Sequence, residues 1–495
     1  MKKLLSLLLA LAVAFAIPAG SGLYVADAAT DGIAISTADD LKAMEKNPSG
    51  SYYLANDIEV PANLILFTDY DYPFTGTLDG RGHKLKGYTY STNEEWVDDV
   101  ALFVYTKKAT IKNLSMTEVD IRVNNSTSAA GLISSMRGGT VSNVSVSGKI
   151  SGKYICQAGG VVVYSRDNST ITGCKNSADI TVTDAAENCK LAGVAVYMRS
   201  VKNCSNSGKI SIGGNITIGG FLGAGVVVSA DKVTSCKNSG TVTVSAKGNK
   251  MMIEACKAAG VAVDAKNAVS CSNSGKVSLN ATIQAVDPHL VGGVCAYAKN
   301  ASKCSNKGAV SFNGKAYRGI YIGGVCGDAV KINQSYNKGS VTLKLPGEKS
   351  VQEKKVGGIC GTTRDMRNCY NTGNVTAKGV VFAGGICGYA TPWDQLVVSN
   401  YSTGKVKAPA KGTYKGQIMG GYEGTEVVCK RNIYNNYYTG SGKAYSPVYV
   451  IGNRYYAKAT KVSSITARNC PKLSSKYWTY SSKYKRLILK NNKEK

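Results

Sequence analysis

Only two histidines occur in the chain, His83 and His289. Imidazole acid–base catalysis and multi-histidine metal sites therefore have almost no material. Carboxylates gather early, at Asp69, Asp71 and Asp79 and in the run Glu94-Glu95-Trp96-Val97-Asp98-Asp99. Glycoside hydrolysis needs two such groups converging on one bond, and a calcium site needs several oxygens around one point. Asp79-Gly-Arg-Gly-His83 has the composition of a hydrolase motif, while the Glu94 to Asp99 run reads as a solvated loop. No catalytic residue, metal site or cofactor is assigned on this basis. Trp393 beside Asp394 could grip a sugar, by ring stacking and hydrogen bonding at the rim, or could anchor a loop. A third set is basic and aromatic: Tyr317, Arg318, Tyr321, Lys344, Lys349, Lys354, Lys355, Lys411, Tyr414 and Lys415. Lysine interleaved with tyrosine suits an anionic polymer, although solvated lysines are also what solubility requires.

These residues sit on a repeat. Cys-x-Asn-x-Gly ends at Gly208, Gly240, Gly275, Gly308 and Gly373, with Ser335 replacing the cysteine in the copy ending at Gly339. Intervals run from 31 to 35 residues, whereas the second glycine of the preceding Gly-Gly or Ala-Gly pair always lies 15 before (Gly193 to Gly208, Gly358 to Gly373). A spacing held that tightly marks a fixed segment, and the longer, variable stretch marks the face where insertions gather. Positions two and four after the turn glycine are Ile210 and Ile212, Val242 and Val244, Val277 and Leu279. Period-two alternation of β-branched residues means strand, and Asn-x-Gly is expected to supply the left-handed turn position. No helical stretch separates the strands, so the coils must stack. The predicted fold is all-β, a right-handed parallel β-helix of about ten coils with an N-terminal lead-in segment and a C-terminal cap.

The 15 cysteines follow from this placement. Stacked positions lie ~4.8 Å apart with parallel Cβ vectors, too far and wrongly aimed for a disulfide, so inward ladders of reduced thiols are expected. Cys295, Cys326, Cys360 and Cys387 form a second series after Gly-Gly. The asparagines should stack and bond along the axis.

Met1-Lys-Lys, an apolar run over residues 4–17 and Ala26-Asp-Ala28 make residues 1–28 a secretory signal, with no later membrane span. The remaining organisation is 29–129 as N-terminal cap and first coils, 130–440 as repeats, and 441–495 as a Tyr- and Lys-rich cap with a basic tail. A solenoid needs its last open coil covered, and Pro471 to Leu489 is expected to fold back there.

Gly357-Gly-Ile-Cys-Gly361 through Asn368-Cys-Tyr-Asn-Thr-Gly-Asn-Val375 resembles the GLUG motif of bacterial surface and secreted proteins. That motif also occurs upstream of the catalytic domain in some immunoglobulin A-cleaving metallopeptidases. The front of the chain is similar to the start of such proteins: Ile35-Ser-Thr-Ala-Asp-Asp-Leu41, Tyr53-Leu-Ala-Asn-Asp-Ile58, Phe74-Thr-Gly-Thr-Leu-Asp-Gly-Arg-Gly-His83 and Ala109-Thr-Ile-Lys-Asn-Leu114. The resemblance covers most of residues 31–440 and implies scaffold and surface context, not activity. A peptidase of that kind needs His-Glu-x-x-His, which is absent.

A formal charge of +28 points outward to an anionic partner. The expected function is a secreted or surface-associated, adhesin-like stalk recognising an anionic polysaccharide, host glycan or cell-wall polymer through its basic variable face. The alternative is a β-helix polysaccharide lyase or hydrolase. Specific nucleic-acid binding is not expected, since only nonspecific electrostatics would support it.

Overall fold

A computed structural model describes residues 32–92, 96–185, 187–248, 254–283, 285–316, 318–345, 353–379, 381–391, 396–409, 414–422, 431–445 and 458–494. The chain divides into two compact units, Met1–Ile33 and Ala34–Lys495. Nearly all of the first, including the expected signal peptide, lies outside the described residues. Among the described residues no helix is long and apolar enough to cross a membrane.

The second unit is a parallel β-solenoid. One turn shows the plan: His289–Gly292, a Gly293-Val294 corner, Cys295–Ser302, a second corner through Lys303 and Cys304, Ser305–Asn306, then Val310–Ala316. The next turn begins at Ile320–Gly323 and repeats it in register, His289 opposite Ile320, Cys295 opposite Cys326, Val310 opposite Val341. The strand before the glycine corner recurs eleven times and forms an eleven-stranded sheet, so there are about eleven turns. Alternate side chains point inward, and Val291, Val294, Val310 and Phe312 are wholly enclosed. At the N-terminal end a short helix, Ala38–Ala43, is capped by Thr37 in a reciprocal pair with Asp40 and buries Leu41.

The cysteine corner is built from stacked polar columns. Asn176, Asn206, Asn238, Asn273, Asn306, Asn337 and Asn371 each donate from Nδ2 to Oδ1 of the next or receive that bond, at 2.8 to 2.9 Å. The second Nδ2 hydrogen bonds the carbonyl two residues on, as from Asn273 to Gly275 at 2.8 Å. Every buried amide is thereby satisfied within the column. The thiols of Cys174, Cys204, Cys236, Cys271 and Cys304 are buried beside it and donate to backbone carbonyls. All described cysteines are free, as the stacking geometry requires.

Two expectations need correction. The left-handed backbone is not at Asn-x-Gly but at the residue before each ladder cysteine or its replacement: Asn203, Ser235, Ser270, Lys303 and Gln334 have φ of 54°, 55°, 57°, 55° and 48°. The turn glycine is there for room. A Cβ on Gly275 would stand 1.9 Å from the Gly240 carbonyl oxygen of the preceding turn. The second correction concerns the C-terminus. Ala459–Lys461 adds one parallel strand beside Asn436–Tyr438. The chain then packs along the flank rather than over the end. Its antiparallel hairpin, Trp478–Ser481 with Arg486–Leu489, lies on the stacked rings of Tyr336, Tyr370 and Tyr401 and on Tyr437 of the following turn. The basic tail after it is docked as well: Glu494 is buried and bonded to Lys338, Tyr370 and Arg486 at 2.8, 2.7 and 2.6 Å.

Candidate functional site

The glycine corner bends each turn so sharply that the strands on either side face one another outside the core. Two outward columns meet there. On the strand before the corner, three residues ahead of the second glycine, stand Gln157, Lys190, Leu222, Lys257, Leu290, Tyr321, Lys355 and Phe382. On the strand after it, four residues beyond that glycine, stand Tyr164, Tyr197, Ser229, Asp264, Tyr297, Asp328, Thr362 and Tyr389. Alanines and valines such as Ala192, Val196, Ala259 and Val263 form the floor beneath the aromatic side chains.

Contacts join the two walls. The Lys190 ammonium lies 5.4 Å from the Tyr197 ring centroid, and Lys355 lies 4.4 Å from Tyr321 and 4.9 Å from Tyr389. Such contacts contribute about 0.5–1 kcal/mol each where half exposed. Phe382 packs edge-on against Tyr389 at 5.1 Å and stacks on Tyr414 at 5.0 Å. Lys257 is paired with Asp264 at 3.2 Å. Asp328 is less well compensated: burial raises its pKa, against the opposing pull of Lys355, Arg364 and Lys257. The result is a half-buried groove of aromatic rings and cations, running along the axis for roughly 35 Å across these eight rungs at ~4.8 Å each.

The residues singled out from sequence distribute unevenly. Tyr321, Lys355 and Tyr414 belong to the groove. Arg318, Lys344 and Lys415 are exposed, and Lys344 is on a different strand, opposite Asn313 and Lys378. Lys354 is not on a basic surface at all: at 2% exposure it points into the interior, in the column of Ile320 and His289. Neighbouring residues on a strand face opposite ways, so two adjacent lysines cannot share a surface. Trp393, Asp394, Tyr317, Lys349 and Lys411 lie outside the described residues.

The early acids are taken up in hydrogen bonds and ion pairs within the scaffold. Asp79 accepts from Arg81 N at 2.9 Å and Asn113 Nδ2 at 3.1 Å and pairs with Lys112. Asp99 accepts from Ser128, Ser134 and Tyr105. Among the described residues no group of three or more His, Cys, Asp or Glu could hold a metal ion. Burial lifts the thiols of Cys256, Cys369 and Cys387 to about 12, so these three are poor nucleophiles, whereas within the ladder hydrogen bonds from neighbouring thiols lower Cys204 and Cys304.

Sequence reasoning missed Tyr164, Tyr197, Tyr297, Tyr389, Lys190, Lys257, Asp264 and Asp328. Their signal was available as two fixed offsets from the corner glycine, at which Lys, Tyr and Asp recur.

Compared with known proteins, residues 24–148 match the family model of the N-terminal region of M26 IgA1-specific metallo-endopeptidases. Among solved structures, the chain is similar to that of a provisionally assigned immunoglobulin A1 protease from Bacteroides ovatus. Identity is 15% over 93% of this chain and 92% of that one, with a TM-score of 0.28. No curated protein matches.

Proposed function

We propose that this chain is an exported, surface-associated binding scaffold whose glycine-corner groove holds one extended strand of an anionic glycan or wall polymer. The observation that carries this is the pair of facing columns. Rings at Tyr197, Tyr297, Tyr321 and Tyr389 offer flat faces for sugars, and Lys190 and Lys355 stand among them to meet acidic groups. Rings and cations are held against each other and against a small-residue floor, so little side-chain entropy is lost on binding. The charge of +28 draws an anionic polymer to the surface.

The test is retention on mucin and on purified wall polymer at two salt concentrations. Wild type should bind at low salt and be released at high salt, with no sugar liberated. The double variant Lys190→Glu, Lys355→Glu should lose most retention, and unchanged retention overturns the reading.

Hydrolysis is a second reading, favoured by Asp264 and Asp328 on one wall. They are two rungs apart, roughly 10 Å at ~4.8 Å per rung, at the far limit of the ~6.5–9.5 Å that inverting hydrolysis uses. Asp264 is also tied to Lys257. Release of reducing ends by wild type but not by Asp328→Asn would replace the binding scaffold with an enzyme.

A further inference from the structure

Two residues beyond the tyrosine wall of the groove, on the same outward face, stands a charged column: Lys107, Arg137, Arg166, Arg199, Asp231 and Lys266. Lys107 is opposite Arg137, and Arg137 is opposite Arg166. Arg199 lies two beyond Tyr197 as Arg166 lies two beyond Tyr164, and those two rings touch edge-on at 5.6 Å. The later part of the column neutralises itself, because Asp231 and Lys266 of adjacent turns are paired at 2.7 Å. The first four turns do not. Their cations follow one another at ~4.8 Å per turn, and among the described residues none of the four forms an ion pair. Like charges directly opposite on neighbouring strands repel, so this run is a standing cost to the scaffold. The same column shows that alternating signs fit here, and in these turns they are not used.

The choice of cation is specific. Arginine is the scarcer one, 12 residues against 48 lysines, yet three of the 12 fill consecutive turns of this column. Lysine would serve solubility equally well; what arginine adds is a planar fork of donors. Two of the forks are held in place by tyrosine. The Arg137 guanidinium lies 3.9 Å from the Tyr70 ring centroid and donates from Nη2 to the Tyr70 carbonyl at 2.7 Å. Arg166 donates from Nε to the Tyr164 hydroxyl at 3.3 Å, and its side chain and that of Arg199 are exposed. A carboxylate has two coplanar oxygens and fills one fork. A sulfate ester presents three oxygens in a tetrahedral array and can bridge forks on neighbouring turns. Beside the forks, the half-buried rings of Tyr164 and Tyr197 offer faces to sugars.

We propose that Lys107, Arg137, Arg166 and Arg199 form a sulfate-binding ladder, so that the glycan taken by this face is a sulfated one, its ester groups along the ladder and its sugar rings on the neighbouring tyrosines. The inference rests on the glycan-binding reading above and narrows it to one kind of acid. A sulfated chain would also relieve the repulsion between turns, which the column itself leaves uncompensated.

The test is equilibrium binding of the full chain to heparin, with polygalacturonate as the carboxylate counterpart and inorganic polyphosphate as the sugar-free one. Wild type should bind heparin more tightly than either. Arg166→Lys with Arg199→Lys keeps the charge and removes two forks from exposed positions. It should weaken heparin binding by roughly fivefold and leave polygalacturonate binding unchanged. Equal heparin affinity in wild type and this variant overturns the proposal. So does polygalacturonate or polyphosphate binding as tightly as heparin, which would show that charge alone is read. The groove is tested separately by Lys190→Glu with Lys355→Glu. If that pair leaves retention unchanged while the arginine variant loses heparin, the ladder stands and the groove falls; the opposite pattern keeps the groove and removes the ladder.

Discussion

The two corners of each turn use glycine in the same spacing and for opposite ends. At the Cys-x-Asn-x-Gly corner the side chains are nearly the same in every repeat, are buried, and satisfy one another along the axis. At the Gly-Gly corner the backbone is just as tight, but the residues flanking it change from turn to turn between Lys, Tyr, Asp and Leu. A column that must bond to its own copies above and below has one workable residue. A column that faces outward across a bend has no such constraint and is where specificity can be written. Repetition marks what holds the solenoid together; variation at fixed offsets marks what it presents.

The sharpest way to break that contrast is to disturb the self-satisfying corner. Gly275→Ala places a methyl group against the Gly240 carbonyl, with backbone rather than a flexible side chain in the way. A loss of about 3 kcal/mol or more is expected in denaturant unfolding, if the variant folds. A loss under about 1 kcal/mol would show that neighbouring turns can part to admit a methyl group.

The next effect is chemical. On the interior side of the sheet before the glycine corner, His289 is fully buried, accepts at Nδ1 from Cys256 N at 3.0 Å, and has no partner for Nε2. Burial pushes its pKa down to about 4 from 6.5. The unfolded chain then binds more protons between pH 6.5 and 4, so this stabilisation is complete above 6.5 and is lost as pH falls through that window. The difference amounts to about 3 kcal/mol. His289→Leu should flatten that part of the pH–stability curve relative to wild type; an unchanged slope would mean His289 protonates without cost.

The smallest effect belongs to the groove. Tyr197→Ser should change stability by less than about 1 kcal/mol, because the ring is half exposed and lies on the small-residue floor rather than in the solenoid interior. It should weaken glycan retention by roughly fivefold through the lost ring and its contact with Lys190. A large fall in stability would move Tyr197 to the structural side of the contrast.

Much of the scaffold was legible in the chain. The 15-residue spacing, the Val/Ile alternation and the recurring Asn and Cys gave the stacked parallel coils and their reduced thiols, because each depends only on a residue's relation to its own copies. The groove was not read, although its two offsets were in the sequence. Tyr197 and Lys190 are seven residues apart on different strands, and only the angle at Gly193 makes them neighbours. Lys354 and Lys355 looked equivalent and face opposite ways, since which of two adjacent residues points inward depends on where the strand starts after a variable loop.

The C-terminus shows the same limit from the other side. Its aromatic and basic composition announced a segment that packs against something, and the end of the solenoid was the obvious place. Tyr336, Tyr370, Tyr401 and Tyr437 take it along the flank instead, where Trp478 and Leu487 are buried against them. Sequence alone determined the repeating coil, because stacking identical units is a local rule enforced at every turn. Which residues meet across a corner, which lysine is buried and where the tail docks were decided by tertiary structure, because those depend on angles and surfaces that exist only once the turns are assembled.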